Sequence, residues 1–361
     1  MARAQTRPLT LLSPPPSRRR WSAAETYARA CLARSGQGAR LRDERGRPFL
    51  DLCNADGAVL LGWGELAVET AAAEPARHCE AEAAERLSSL VPYAEAVLFG
   101  PSVGGLLADA LTAAARTTGR DGAFFCDDAC VVDGDLAQVQ RGLTENASAL
   151  AAVVVRPLDA PGAFLAGVRA LCDAFGAALI FEESRTALRV HRAGAGGLHG
   201  VHPDLTVFGP SIANGHPAAA LMGRIDLMRA ADAGGASASP HALSAACATL
   251  ERALEADASQ ALNVAGAEIA AEVGRLLQTA GLSELISVEG DPCWSVLAGD
   301  PAACDLVSEL LLDEGVFCLG AHVPSLAMGE AEVAQLVRAY EAVLPRAAAR
   351  MARGRLRAAA R

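Results

Sequence analysis

Two adjacent acids, Glu182 and Glu183, close a short apolar run at residues 177–181. Carboxyls at the end of a buried strand are groups that general acid–base chemistry uses, and a like-charged neighbour pushes one of a pair toward its neutral form. Successive strand side chains face opposite ways, so at most one of the two points into a cleft. A second apolar run, 205–208, ends in Gly209, Pro210 and Ser211, with His216 in the loop beyond. A third place is the turn Ser102-Val103-Gly104, between an apolar run and a helical pattern, where free amides at a helix start can face an anion. Arg185 and Arg189 stand four apart and would clamp a carboxylate if helical. His191, His199 and His202 share a glycine-rich loop, where solvated or core-satisfied histidines outweigh a metal cluster. Cys126 and Cys130 in CDDAC are spaced at the loose edge of a zinc pair with no second pair behind them, and read as buried thiols.

These groups need a sheet to hold them. The chain has 361 residues, 52% of them apolar, enough to bury a sizeable core as one large α/β unit plus a smaller one. Runs 177–181 and 205–208 lack polar alternation and read as buried parallel strands, whose carboxyl ends are where ligands gather in open α/β sheets. A further strand is expected at 151–155, an amphipathic helix over 65–90, and a turn at Arg45-Gly46 between two short strands. The last helix is expected over 330–344. The segments so defined are a Pro/Arg leader at 1–20 without regular structure, an N-terminal part of the small domain at 21–60, the large domain at 61–250, the C-terminal small domain at 251–345, and an Arg-rich tail at 346–361.

The net charge of −10 is unevenly distributed. Arg3, Arg7, Arg18, Arg19 and Arg20 lie in a leader without acids, and Arg346, Arg350, Arg353, Arg355, Arg357 and Arg361 in a tail without acids, so the body is more acidic than the total suggests. Such a body repels nucleic acid, and the ends read as solvated. The Arg18–Arg20 run is followed by charged sequence rather than the apolar stretch of a signal peptide, and no apolar run reaches membrane-spanning length. Ten cysteines without a framework point to the reducing cytoplasm. Not one residue is lysine.

The stretch LIFEESRTALRV, followed by HPDLTVFGPSIANGHP and Gly223-Arg224, resembles the core of class III pyridoxal-phosphate aminotransferases, nearest to glutamate-1-semialdehyde aminomutases. VPYAEAVLFGPSVGG and its helix ending in Thr118-Gly119-Arg120 resemble that family's phosphate-binding segment, and the likeness extends over about 37–345. It implies a fold type I α/β architecture: a mostly parallel central sheet with flanking helices, plus a smaller α+β domain. It also implies where the family's site residues fall. Pro210 occupies the place of the Schiff-base lysine, Glu182 that of the aspartate on the pyridine nitrogen, and Ser102-Val103-Gly104 that of the phosphate turn, with Gly105 replacing an acid. Trp63 stands for a histidine, Arg156 for the glutamate of Val-x-Glu-Pro, and Gly235 for a threonine reaching the neighbouring subunit. An aromatic-His-Gly triplet that covers the cofactor ring has no counterpart. Arg189 matches a family arginine and is expected in a structural ion pair.

Arginine cannot form the imine a transaminase needs, so conventional transaminase or aminomutase activity is not expected. Three readings stay open: a non-catalytic relative that dimerises with itself or with a related aminotransferase-fold protein, a repurposed enzyme using the vacated pocket with Glu182, Ser211 or His216 as its weak catalytic candidates, and a small-molecule binding protein. No covalent cofactor is expected; pyridoxal or pyridoxamine phosphate would bind only non-covalently, on Ser102, Val103, Gly104 and Glu182. No metal, nucleic acid or membrane partner is expected.

Overall fold

A computed structural model describes residues 10, 11, 35–231 and 237–359. Its centre is a seven-stranded sheet in the order β1 (Thr10–Leu11), β6 (Gly122–Phe125), β7 (Leu150–Val155), β8 (Ala178–Glu183), β9 (Leu205–Phe208), β10 (Ala219–Gly223) and β5 (Ala96–Gly100). From β1 to β9 every neighbouring pair is parallel, and β10 runs antiparallel to both β9 and β5. The inner strands are mostly apolar because helices cover both faces. Val153, Val155, Leu179 and Phe181 enter one face with α5 (Leu136–Glu145) and α6 (Gly162–Phe175); Ala152, Val154, Ala178 and Ile180 enter the other with α3 (Val103–Thr118). This strict alternation fixes which way each residue at a strand end points.

Residues 35–52 lie outside that sheet. Strands β2 (Ser35–Gln37), β3 (Arg40–Arg42) and β4 (Pro48–Asp51) form antiparallel pairs, and β13 (Val316–Phe317) joins β4 in parallel. The expected turn lies between β3 and β4, with Gly46 at a φ of 77°. Beside it, β11 (Ile286–Glu289), β12 (Ser295–Gly299) and β14 (Ala321–His322) make a second small sheet. After α8 (Ile225–Ala230) and α9 (Pro240–Glu255), the chain builds a second core in which Leu50 and Leu52 meet α10 (Ala258–Thr279), α11 (Pro301–Asp313) and α12 (Glu330–Ala359), through Ile269, Val273, Leu311, Leu336 and Tyr340.

Several expectations need correction. The amphipathic stretch 65–90 is two helices, α1 (Leu66–Ala73) and α2 (Cys79–Leu90), because Pro75 cannot donate to a continuing helix. Glu182 and Glu183 are the last two residues of β8, where the expected strand alternation parts them. Helix α12 continues past Leu344, through Pro345 to Ala359, with Ala347 fully buried, so much of the arginine-rich end is helical. Within the leader, Thr10 and Leu11 pair with Gly122 and Ala123 as an edge strand. The rest of the leader and Gly235 lie outside the described residues. No helix among the described residues is long and apolar enough to cross a membrane.

Candidate functional site

At the carboxyl ends of β7 and β8 the chain opens into a cleft of about 140 Å³. Arg156 follows β7 directly, Glu182 ends the outward row of β8, and Ser184, Arg185 and Thr186 follow in the next turn. Asp128, Val131 and Val132 reach it from α4 (Asp128–Asp133), while Leu158, Asp159, Trp294 and Val296 close the remaining sides.

The cleft's charges are arranged unequally. Arg156 Nε lies 3.6 Å from Glu182 Oε2, and its NH1 3.9 Å from Asp128 Oδ1. Glu182 Oε1 also accepts the Ser184 amide at 2.9 Å. Arg185 sits with its guanidinium carbon 5.0 Å from the Trp294 ring centroid, and its NH2 is 3.8 Å from Asp56 Oδ1. Asp56 belongs to a run in which Asn54, Ala55, Asp56 and Gly57 all have positive φ. Left-handed residues normally occur singly. Only glycine serves at position 57, since a Cβ there would strike the Trp294 ring. Asp159, also at positive φ, accepts the Asp291 amide at 2.6 Å, and burial raises its carboxyl.

Glu183 turns the other way. It is fully buried; its Oε2 accepts Thr186 Oγ1 and the Ala195 amide, both at 2.7 Å, and its Oε1 the Gly196 amide at 3.3 Å. Burial pushes this carboxyl up to about 7 against the opposing effect of those donors. Glu183 is therefore the cap of α7 (Gly194–His199) rather than a cleft residue, and Gly194 lacks a side chain because a Cβ would meet that carboxylate.

Arg185 and Arg189 lie in a turn, not a helix, and do not clamp one ligand together. Arg189 is fully buried, and among the described residues no carboxylate pairs with it. Its guanidinium instead donates to the carbonyls of Pro324 at 2.9 Å, Gly57 at 2.8 Å and Val59 at 3.4 Å. The expected ion pair is thus replaced by carbonyls, because a carbonyl-lined hole is where the side chain ends. Burial lowers its pKa to about 10.

The residues after β9 serve the frame of the site. Pro210 precedes a short 3-10 turn (Ser211–Ala213), Ser211 is buried and donates from Oγ to the Ala187 carbonyl at 3.2 Å, and His216 Nε2 lies 3.4 Å from Glu69 Oε1 on α1. Of Glu182, Pro210, Ser211 and His216, only Glu182 lines the cleft. Ser102 caps α3, its Oγ accepting the Gly105 amide at 3.2 Å, which leaves the first-turn amides of Val103 and Gly104 without intrahelical acceptors. These three also stand outside the cleft lining. His202 packs on Tyr93 at 4.9 Å between ring centroids, and His191 Nδ1 accepts the Ala193 amide. Among the described residues no group of three or more metal-type side chains gathers, and the described cysteines are free thiols.

Sequence reasoning missed Trp294, Asp159 and Asp128. Their separation from β8 in the chain hides them, although Pro292 behind the N-cap Asp291 marks a fixed bend that carries Trp294.

A mixed sheet flanked by helices, with its cleft at the strand ends, defines an α/β protein of the fold type I aminotransferase kind. A model of the aminotransferase class-III family matches residues 133–344, and the chain belongs to that family. Among solved structures it is similar to a transaminase with PLP bound, at 26% identity and a TM-score of 0.78 over 89% of this chain and 92% of that one. An omega-transaminase from Sphaerobacter thermophilus shares the fold at 24% identity and a TM-score of 0.77, covering 88% and 91% of the two chains. The FumI protein of Sphingopyxis sp. MTA144, in a PLP internal aldimine form, shares it at 23% identity and a TM-score of 0.80, with 89% of each chain covered.

Proposed function

We propose that this chain is a non-transaminating member of the class III family that works as a subunit of a dimer, with itself or with a related aminotransferase-fold protein. The observation that carries the reading is Pro210: the second position after β9, where the resemblance places the Schiff-base lysine, is a proline in a chain without any lysine. A transaminase uses its lysine both as covalent anchor and as the acid–base group that moves the proton. No other side chain here replaces both roles.

The residues fit pyridoxal phosphate poorly. Glu182, in the place of the pyridine partner, is engaged by Arg156 and the Ser184 amide. The Ser102 hydroxyl is engaged by Gly105, and the cleft is smaller than the roughly 300–1,000 Å³ of ordinary small-molecule sites. Only the open amides of Val103 and Gly104 still suit a phosphate, so any such cofactor would be held without a covalent bond. The dimer half of the reading rests on the family resemblance, which places sites of this kind at a subunit boundary.

Borohydride reduction after incubation with pyridoxal phosphate, followed by peptide mass spectrometry, tests the first half. No adduct is expected on the residues of the cleft, and a stoichiometric one there would overturn the reading. Light scattering at micromolar concentration tests the second half; a monodisperse monomer that captures no aminotransferase-fold partner would count against it.

A further inference from the structure

Cys126 is the first residue after β6, and Cys130 stands four positions on, inside α4. Both are buried, in the apolar cluster that α5 and α6 form with the sheet. The Cys126 amide donates to the Val154 carbonyl at 3.0 Å, which extends the pairing of β6 with β7, and the Cys130 amide donates to the N-cap Asp127 Oδ1 at 2.7 Å. Strand end and helix start are thereby fixed against each other. The two thiols share a hydrogen bond, Cys126 donating to Cys130, whose own thiol donates to the Asp135 carbonyl at 3.5 Å. Other cysteines of the chain are turned to backbone oxygen: Cys247 Sγ donates to the Cys79 carbonyl at 3.0 Å, Cys79 Sγ to that of Pro240 at 3.6 Å, and Cys318 Sγ to that of Ala321 at 3.2 Å. At α4, sulfur meets sulfur.

That contact makes the two thiols unequal. Accepting from Cys126 lowers the Cys130 thiol below its ordinary pKa, against burial and the nearby Asp127, Asp135 and Asp133. Donating the same bond, together with burial, raises Cys126 well above its own. A sulfur that releases its proton more readily is the one that attacks an oxidant, and a second thiol in contact with it is placed to close the bond. Closure brings the sulfurs from hydrogen-bond contact to about 2 Å. The movement falls on α4, a helix of 6 residues whose Asp128, Val131 and Val132 line the cleft.

We propose that Cys126 and Cys130 form a reversible redox-modification site, a dithiol in the wall of the cleft that hydrogen peroxide converts to an intrachain disulfide. The Cys130 sulfur attacks one peroxide oxygen and the O–O bond breaks; Cys130 becomes a sulfenic acid, and the departing hydroxide takes the thiol proton and leaves as water. The Cys126 sulfur then attacks the Cys130 sulfur, the S–O bond breaks, and the released hydroxide leaves as a second water with the Cys126 proton. Two electrons and two protons pass from the thiols to the peroxide, and a dithiol reductant returns them.

Trypsin cuts after Arg120 and Arg141 and so releases 121–141 as one peptide that carries these two cysteines and no other. The test is to treat the folded full chain with hydrogen peroxide, denature it in iodoacetamide, and weigh that peptide by mass spectrometry. It should be recovered unalkylated and lighter by the mass of both thiol hydrogens, and should become alkylated at both cysteines when dithiothreitol precedes the iodoacetamide. With dimedone present during oxidation, Cys126→Ser should accumulate an adduct on Cys130, whose sulfenic acid then has no partner thiol, and Cys130→Ser should give none on Cys126. Full alkylation of both cysteines after peroxide, sulfinic acid in place of the disulfide in the parent chain, a disulfide that forms only in urea, or dimedone labelling of Cys126 in place of Cys130 would overturn the inference.

Discussion

The Arg156 guanidinium lies 3.6 Å from the Glu182 carboxylate, across the ends of two neighbouring parallel strands. A carboxylate already facing a cation has less to offer a second one. That is why restoring one amine is not expected to restore an aminotransferase site.

The variant Pro210→Lys should therefore fold, as judged by circular dichroism, yet give no stable aldimine absorbance with pyridoxal phosphate. Each missing contact to ring or phosphate removes on the order of 1–3 kcal/mol, and several together weaken binding by powers of ten. A robust aldimine band, with half-transamination of an amino acid, would show instead that the site lacks a single residue.

Arg189 joins the segment around Gly57 and Val59 to the carbonyl of Pro324. Replacing it with methionine, Arg189→Met, keeps much of the volume but leaves buried carbonyls without donors. The loss should be about 3 kcal/mol or more, read as a lower urea midpoint. An unchanged midpoint would mean that water reaches these carbonyls.

Glu183 predicts an inverted pH dependence for a carboxylate. Its folded pKa, about 7, exceeds the ordinary value of 4.5, so the folded state holds a proton that the unfolded state has released between those values. Its contribution to stability is full below 4.5 and is lost as the pH rises through 7, on the order of 3 kcal/mol for a fully buried group. Glu183→Gln should remove that slope in denaturation curves taken across the range.

His322 works in the opposite sense. Buried between Ser295 Oγ at 3.2 Å and the Tyr340 hydroxyl at 2.7 Å, its pKa is lowered to about 4 from 6.5. The unfolded state binds the extra proton between those values, so stability present above 6.5 is lost as the pH falls through 4. The two slopes oppose each other where they overlap. Glu183→Gln should make the protein acid-labile and His322→Gln should make it more stable toward acid relative to neutral pH; parallel curves for both variants and the parent would refute this.

The strands of the large sheet were legible because fully buried parallel strands are unbroken apolar runs: 205–208 has the predicted bounds, and 151–155 differs from β7 by one residue. That Glu182 and Glu183 part company followed from the pleat alone. The sequence could not say which of them was buried, because that depends on α7 arriving to offer two amides to Glu183. Nor could it supply Trp294, brought to the cleft from over a hundred residues away, or show that Arg189 ends among carbonyls. Helix ends were misjudged where proline acts in two ways: Pro75 separates α1 from α2, whereas Pro345 is carried inside α12, where tertiary packing of Ala347 outweighs the local cost.

Strand β8 is locked between β7 and β9 by paired registers on both sides, with Glu182 opposite Val207 and Glu183 opposite Phe208. A single inserted or deleted residue upstream in that strand would exchange the two glutamates, putting the helix cap in the cleft and the cleft's anion in the core. The two acids therefore depend on one register: the pairing that holds Glu183 under α7 also holds Glu182 at the cleft.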